Sequence, residues 1–476
     1  MLRLDAQRAG GGMKSGWRAL LWMSGFMAVL AAGAQTVART PPMGWNSWDA
    51  YGLTITEAQF LANVDVLKTK LAPFGWQYAV IDEGWFFENP GDRSHPEKLR
   101  YALDSHGRYV PVPARFPSAG NAGKPDVVPD AKLSATIEET GFSKVAARVH
   151  AQGLKFGIHI VRGIPRASVE RNLPIDGSSF RAQDAADTGD ACSWDPTNWG
   201  IKDNAAGQAW YDSLLRQYAG WGIDLLKVDC IADHPYKVDE IRMIRRAIDR
   251  SGRPMVLSLS PGPTALAHAD EVAGLAQMWR ISDDIWDIWK KPESGFPQSV
   301  TSQFARLAAW SKYAKPGNWP DADMLPFGEL KPSPGWGRPR SSQLTPDEVR
   351  TQLTLWAIAR SPLILGGNLT ALDEETLKLL QTRELIRVNQ TATASRQLSR
   401  QDDWVVWSAS LPAGETALAV FNLGDNAADV HKAWSDLGFQ GNVRSAKAAL
   451  PVVGEASAKG VNIKLPPHGS ALWILR

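Results

Sequence analysis

From about residue 40 to residue 390, short apolar runs alternate with stretches of 10–15 residues whose apolar positions recur at helical spacing. The apolar runs read as strands ending near Trp48, Ile81, His159, Val228, Ser258, Ile281, Met324 and Leu365. Helices between them have identifiable starts. Thr56 and Gln59 form a capping box ahead of Phe60, Val64, Leu67 and Leu71, one apolar face at helical spacing. Thr345-Pro346-Asp347-Glu348 opens a helix running toward Arg360, with Pro346 at the first helical position, where its missing N–H costs nothing. Eight strands alternating with helices predict an α/β fold of the (β/α)8 TIM-barrel type. A doubly wound open sheet would want a Gly-rich phosphate loop after an early strand, and the sequence has none.

Beyond about residue 395 the texture changes. Trp404-Val405-Val406-Trp407, Leu418-Ala419-Val420-Phe421 and Ala471-Leu472-Trp473-Ile474 are short β-type runs separated by Gly, Asp and Asn turns. The division expected is therefore a barrel over 35–394 and a small antiparallel β domain over 395–476. Residues 86–137 and 162–205 are too long for plain connections, and such segments tend to cover a functional site or carry small elements of their own.

The N-terminus has the three parts of a secretory signal. Lys14 and Arg18 precede an apolar run from Ala19 to Ala32, and Ala32-Gly33-Ala34 is a small-x-small cleavage site before Gln35. Residues 1–34 are thus expected to be removed and the protein secreted or periplasmic, with Met1 and Met13 both possible starts. The apolar run is too short for a membrane anchor, and no other segment approaches 18 apolar residues. The two cysteines, Cys192 and Cys230, read as one disulfide or two buried thiols, an even count in an oxidising compartment favouring the bond. A net charge of +2 with no basic arm or nucleic-acid motif argues against a polyanionic partner. No HExxH pattern or His cluster calls for a metal, and no cofactor motif is present. The 21 Trp are the one compositional oddity; they could stack on sugars or simply fill the core.

Chemistry has to come from acids at the C-terminal ends of the strands. Asp82 and Glu83 end one strand, Asp229 ends Leu225–Val228, Asp283 and Asp284 follow Met278–Ile281, and Asp321 and Asp323 lie in NWPDADML. One such acid is usually a helix cap, but several converging on one rim need metals, cations or a polar ligand. Lys227 and Arg280 supply nearby positive charge, and a polyhydroxylated sugar would use the remaining acceptors. Glycoside hydrolysis requires one ionised and one protonated carboxyl group. Asp229, beside Lys227, would serve as the nucleophile, and Asp284, in the field of the other carboxylates, as the acid.

These strings resemble glycoside hydrolase family 27, the α-galactosidase and α-N-acetylgalactosaminidase family, over roughly residues 40–395. PPMGWNSWDAYG (41–52), IDEGW (81–85), WGIDLLKVDC (221–230), WRISDDIWD (279–287), NWPDADML (318–325) and LTLWAIARSPLILGGNL (353–369) occur in the family's order. The resemblance implies a (β/α)8 barrel followed by an antiparallel β-sandwich, and cofactor-free double displacement with Asp229 as nucleophile and Asp284 as acid/base. It also implies sugar contacts from Trp48, Asp82, Glu83, Lys227 and Arg280, with Asp323 and Met324 lining the rim.

Four positions depart from the family pattern, one of them Cys230, which directly follows Asp229, one place earlier than usual. Glu83 stands where a second Asp is usual, and its extra methylene would crowd the C6 hydroxymethyl group of galactose. β-L-arabinopyranose has galactose stereochemistry without that group, so β-L-arabinopyranosidase is the alternative to α-galactosidase. His159 replaces a common Tyr at another sugar contact, and Ser260 lies where the family distinguishes a 2-hydroxyl from an acetamide. Trp286, Trp289 and Trp319 could be leaving-group platforms or packing, and His234 and Tyr236 could reach the sugar. Asp283 and Asp287 are expected to brace the acid/base loop, and Asp321 to be structural. A non-catalytic sugar-binding protein on the same scaffold would have lost one catalytic acid, whereas both are present.

Overall fold

The computed structural model describes residues 37–476 apart from 94, 96, 97, 121–140, 196, 293 and 332–336, so the expected signal segment, 1–34, lies outside the described residues. Eight parallel strands form one sheet: β1 (Met43–Asn46), β2 (Tyr78–Ile81), β3 (Lys155–Val161), β4 (Leu225–Asp229), β5 (Val256–Leu259), β6 (Met278–Arg280), β7 (Trp319–Asp321) and β8 (Leu363–Leu365). β1 to β7 pair in sequence order, β1 also pairs with β8, and a parallel bridge between Leu325 and Leu365 brings the chain after β7 against β8. The eight expected strands are all present, and their ends lie within three residues of those read from the apolar runs.

Helices follow the strands: α1 (Glu57–Val66), α2 (Ser143–Ala151), α3 (Ala205–Trp221), α4 (Val238–Ser251), α5 (Ala269–Leu275), α6 (Gln303–Trp310), α7 (Pro346–Ala359) and α8 (Arg383–Thr391). Both capping boxes are formed, Thr56 with Gln59 on α1 and Thr345 with Glu348 on α7, so the first-turn N–H groups are satisfied.

Alternation along the strands sorts side chains into two populations. Trp45, Ala79, Ile81, Leu226, Val228, Leu257, Trp279 and Leu365 belong to the large core beneath the helices. The intervening Tyr78, Val80, Leu225, Val256, Met278, Trp319 and Ile364 form a separate cluster that fills the barrel interior. Two residues further along the same faces come Asp82, Lys227, Ser258, Arg280 and Asp321. The charged layer is thus the continuation of the interior stripe toward the strands' C-terminal ends.

The C-terminal strands are β9 (Thr393–Gln401), β10 (Trp404–Ser410), β11 (Thr416–Asn422), β12 (Ala428–Ala433), β13 (Ala446–Ala448), β14 (Val453–Ala456), β15 (Gly460–Leu465) and β16 (Ser470–Leu475). They form antiparallel sheets of order β9-β10-β11-β16-β13 and β12-β15-β14. One face of the larger sheet, with Trp407, Ala419, Phe421 and Leu472, merges into the barrel's outer core, where Phe421 meets Phe304 of α6 edge-on at 5.1 Å. The other face, with Leu418, Val420 and Trp473, packs on Val430, Val461 and Ile463 of the smaller sheet.

The long segment 162–205 carries its own three-stranded sheet, in which Asn198–Ile201 pairs antiparallel with Ile164–Pro165 and with Ala186–Ala191. Cys192 and Cys230 form the disulfide, pinning this subsheet to the residue after β4. Arg162 reinforces the clamp: it donates to Asp190 at 2.8 and 2.9 Å, to Glu240 at 2.7 Å and to the Cys230 carbonyl at 2.7 Å. The disulfide spans 38 residues, for which loop-closure entropy gives a stabilisation of about 3–4 kcal/mol. The Cys192→Ser/Cys230→Ser double variant is therefore expected to lose up to about that much in urea denaturation, and turnover should fall with it. A variant as stable and active as the parent would show that the clamp contributes nothing.

Candidate active site

Asp229 ends β4 with both carboxylate oxygens engaged. Oδ2 accepts from His159 Nε2 at 3.3 Å and from the Ser260 hydroxyl at 3.2 Å, while Oδ1 accepts from the Trp194 indole at 3.2 Å. Burial pushes the carboxyl up, but the His159 hydrogen bond and charge and the Lys227 ammonium outweigh it and hold it below its ordinary value. The result is an oriented anion.

Asp82 is the acceptor beside it. Its Oδ2 receives Asn46 Nδ2 at 2.7 Å and Lys227 Nζ at 2.8 Å, and the Ser47 hydroxyl accepts the Asp82 N–H at 2.9 Å. Burial would neutralise Asp82; the adjacent Lys227 instead holds it well below the usual carboxylate range. Lys227 is correspondingly raised despite its burial, by Asp82 and Asp229.

Arg280 organises the opposite side. It pairs with Asp323 at 2.8 Å and Asp284 at 3.3 Å. Asp323 also accepts the Ile285 N–H at 2.7 Å, which fixes the start of the loop after Asp284. Burial, opposed by Arg280 and aided by Asp284, pushes Asp323 up to about 7. Asp229 is 18% exposed and Asp284 40%, so the first lies deep and the second faces solvent.

Glu83 completes the cluster. Burial pushes it up to about 7, against the opposing Arg93 guanidinium, which pairs with it at 3.1 Å. Arg93 also donates to the Trp194 carbonyl at 3.3 Å. Glu83, Arg93, Trp194 and Asp229 therefore form a continuous hydrogen-bonded chain across the mouth.

Of the residues singled out from sequence, Lys227, Ser260, Arg280, Asp321, Asp323 and Met324 line one cavity of about 30 Å³, room for about one water. Asp82, Glu83, His159, Asp229 and Asp284 are joined to that group by the contacts above. Trp48 sits on the helical turn after β1, its N–H donating to Asn46 Oδ1 at 2.8 Å and its ring packing on the interior cluster. Ser260 faces Asp229 and hydrogen-bonds to it.

The residues left open between packing and contact resolve by burial. Trp319 and Trp286 are fully enclosed, and Trp289 stacks on His468 at 4.6 Å, so all three pack. Tyr236 stacks on His268 and donates to Glu271 at 3.3 Å, and His234 pairs with Asp233 at 3.0 Å. Asp287 braces its loop through Arg340 and the Gln343 N–H, and Asp321 accepts the Asp323 N–H at 2.9 Å while lining the cavity.

Sequence reasoning passed over Asn46, Arg93 and Trp194. Asn46 was within reach, since it shares the interior face of a quoted motif. Arg93 and Trp194 lie in irregular segments whose side-chain directions follow no period.

With that geometry in view, comparison with known proteins is direct. The family model described as alpha galactosidase A matches residues 202–391, and that of the alpha galactosidase C-terminal beta sandwich domain matches 401–475. An α-galactosidase of Cyamopsis tetragonoloba is 28% identical over 85% of this chain and 78% of its own length, and human alpha-galactosidase A is 26% identical over 81% and 75%. The crystal structure of a family 27 β-L-arabinopyranosidase from Geobacillus stearothermophilus superposes with a TM-score of 0.79 at 38% identity, covering 93% of this chain and 97% of that one. Identity of that order along nearly the whole of both chains, on the same barrel and sandwich, makes this chain a member of glycoside hydrolase family 27.

Proposed function

We propose that the protein is a retaining exo-glycosidase that removes terminal α-D-galactosyl residues, with Asp229 as nucleophile and Asp284 as general acid/base. The observation that carries this reading is the unequal setting of the two carboxyl groups: Asp229 deep, ionised and held by three donors, Asp284 exposed on the Arg280 side. A nucleophile must meet the anomeric carbon at the floor of the site. An acid/base must reach the leaving oxygen and then the incoming water at its mouth.

In the first step an Asp229 oxygen bonds to the anomeric carbon. The glycosidic C–O bond breaks, and the leaving oxygen keeps the electron pair and takes the Asp284 proton. In the second, water attacks the same carbon and returns a proton to Asp284, while the ester C–O pair goes back to Asp229. Asp82, an acceptor fixed by Lys227 and Asn46, is suited to receive sugar hydroxyls, and Lys227 and Arg280 to donate to them.

A second reading, β-L-arabinopyranoside hydrolysis, is favoured by Glu83. Its carboxyl group is buried in the site and anchored by Arg93, so it cannot easily swing away from a C6 substituent. The 38%-identical relative is named a β-L-arabinopyranosidase, and a variant of it is solved with arabinose. Export from the cytoplasm belongs to the same proposal: Lys14, Arg18 and the apolar run to Ala32 support it, and a disulfide suits an oxidising compartment.

The purified mature chain is expected to hydrolyse nitrophenyl α-D-galactopyranoside, and Asp229→Ala to lower kcat/KM at least about a thousandfold with thermal stability retained. Inertness of the parent, or substantial activity in the variant, would remove the assignment. Glu83→Asp is expected to raise the ratio of galactoside to arabinopyranoside kcat/KM about tenfold or more, the usual worth of one methylene in a pocket. An unchanged ratio would show that Glu83 does not sense C6.

A further inference from the structure

We propose that His159 is a positioning residue for the nucleophile, a cationic imidazolium wedged between Asp82 and Asp229 that holds Asp229 as an anion and eases its departure from the glycosyl ester. The inference rests on Asp229 being the nucleophile. His159 Nε2 lies 3.3 Å from Asp229 Oδ2 and 4.0 Å from Asp82 Oδ1, and the residue is 1% exposed. The Trp85 indole fixes its backbone by donating to the His159 carbonyl at 2.8 Å.

The charged groups around it are Asp82 and Glu83 at the end of β2 and Lys227 and Asp229 on β4, and Glu83 in turn feels Arg93 and Asp195. Burial alone would strip its proton, but the Asp82 charge and the Asp229 hydrogen bond prevail and raise its pKa above the ordinary imidazole value. Nδ1 is buried and finds no acceptor among the described residues, which opposes the charged form, so the charge has to be sustained by the two carboxylates on the Nε2 side, Asp229 at 3.3 Å and Asp82 at 4.0 Å. An imidazole kept neutral with its proton on Nε2 would make the same contacts, and charge is what separates the two states.

The sign follows from chemistry. A cation beside Asp229 lowers the carboxyl pKa, which weakens its attack slightly and improves it as a leaving group in the second step. In His159→Gln a neutral amide can still donate to Asp229. The acid limb of the kcat/KM profile, which reports Asp229 ionisation, should move up by about half a pH unit or more. With an activated aryl glycoside, whose turnover is limited by ester hydrolysis, kcat and KM should fall together as the covalent intermediate accumulates.

A ¹³C-labelled imidazole resonance absent from His159→Gln should titrate above pH 6.5 in the parent and drop once Asp229 is esterified by a fluorinated glycosyl fluoride. That readout stands even if the variant folds poorly. An acid limb that stays in place, or a resonance titrating below about 6, would overturn the proposal. Activity surviving in Asp229→Ala would instead overturn the nucleophile assignment on which it rests.

Discussion

Two buried cations on interior strand positions, Lys227 and Arg280, allow a crowd of carboxylates to share one barrel mouth. Without them Asp82, Asp229, Asp284 and Asp323 would repel one another in a poorly solvated space, and the usual outcome is neutralisation by proton uptake. Each cation serves two acids: Lys227 lies beside Asp82 and Asp229, Arg280 beside Asp323 and Asp284. Removing either cation would leave two acids uncompensated, a loss of about 3–5 kcal/mol, whereas Lys227 keeps Asp82 at 2.8 Å when Asp229 is removed. Where burial and neighbouring carboxylates outweigh the paired guanidinium, the carboxyl drifts toward neutrality, as at Glu83 beside Arg93 and Asp323 beside Arg280, both pushed up to about 7.

The fold places these groups through simple periodicity. Val80 then Asp82, Leu225 then Lys227 then Asp229, and Met278 then Arg280 all occupy alternate positions of one strand face. The first member of each series packs the interior and the later ones reach the rim. Because the period is two, a reader of the sequence can tell which acid points inward once the strand is recognised. For that reason the eight strands, the two capping boxes and Asp82, Asp229 and Arg280 were legible before any coordinates.

What was not legible depends on contacts between segments distant in sequence. Trp194 reaches Asp229 only because the 186–201 subsheet folds back and is bolted down by Cys192–Cys230 and Arg162. Arg93 finds Glu83 from a loop with no regular repeat. Ser260 illustrates the same limit: its hydroxyl is directed at the Asp229 carboxylate, a contact between neighbouring strand ends that its place in the sequence does not show. The Trp residues behaved similarly, since a sugar platform and a core plug look alike in sequence. Only burial separates enclosed Trp319 from rim-exposed Trp194.

The unequal environments of Asp229 and Asp284 are the core of the account, because they assign one carboxyl group to covalent attack and the other to proton transfer. Stereochemistry reads that division of labour most directly. Proton NMR of the first-formed sugar, recorded before mutarotation, should show α-galactose from an α-galactoside, the same anomeric configuration as the substrate. First-formed β-galactose would mean a single displacement by water, and the covalent role of Asp229 would have to be abandoned.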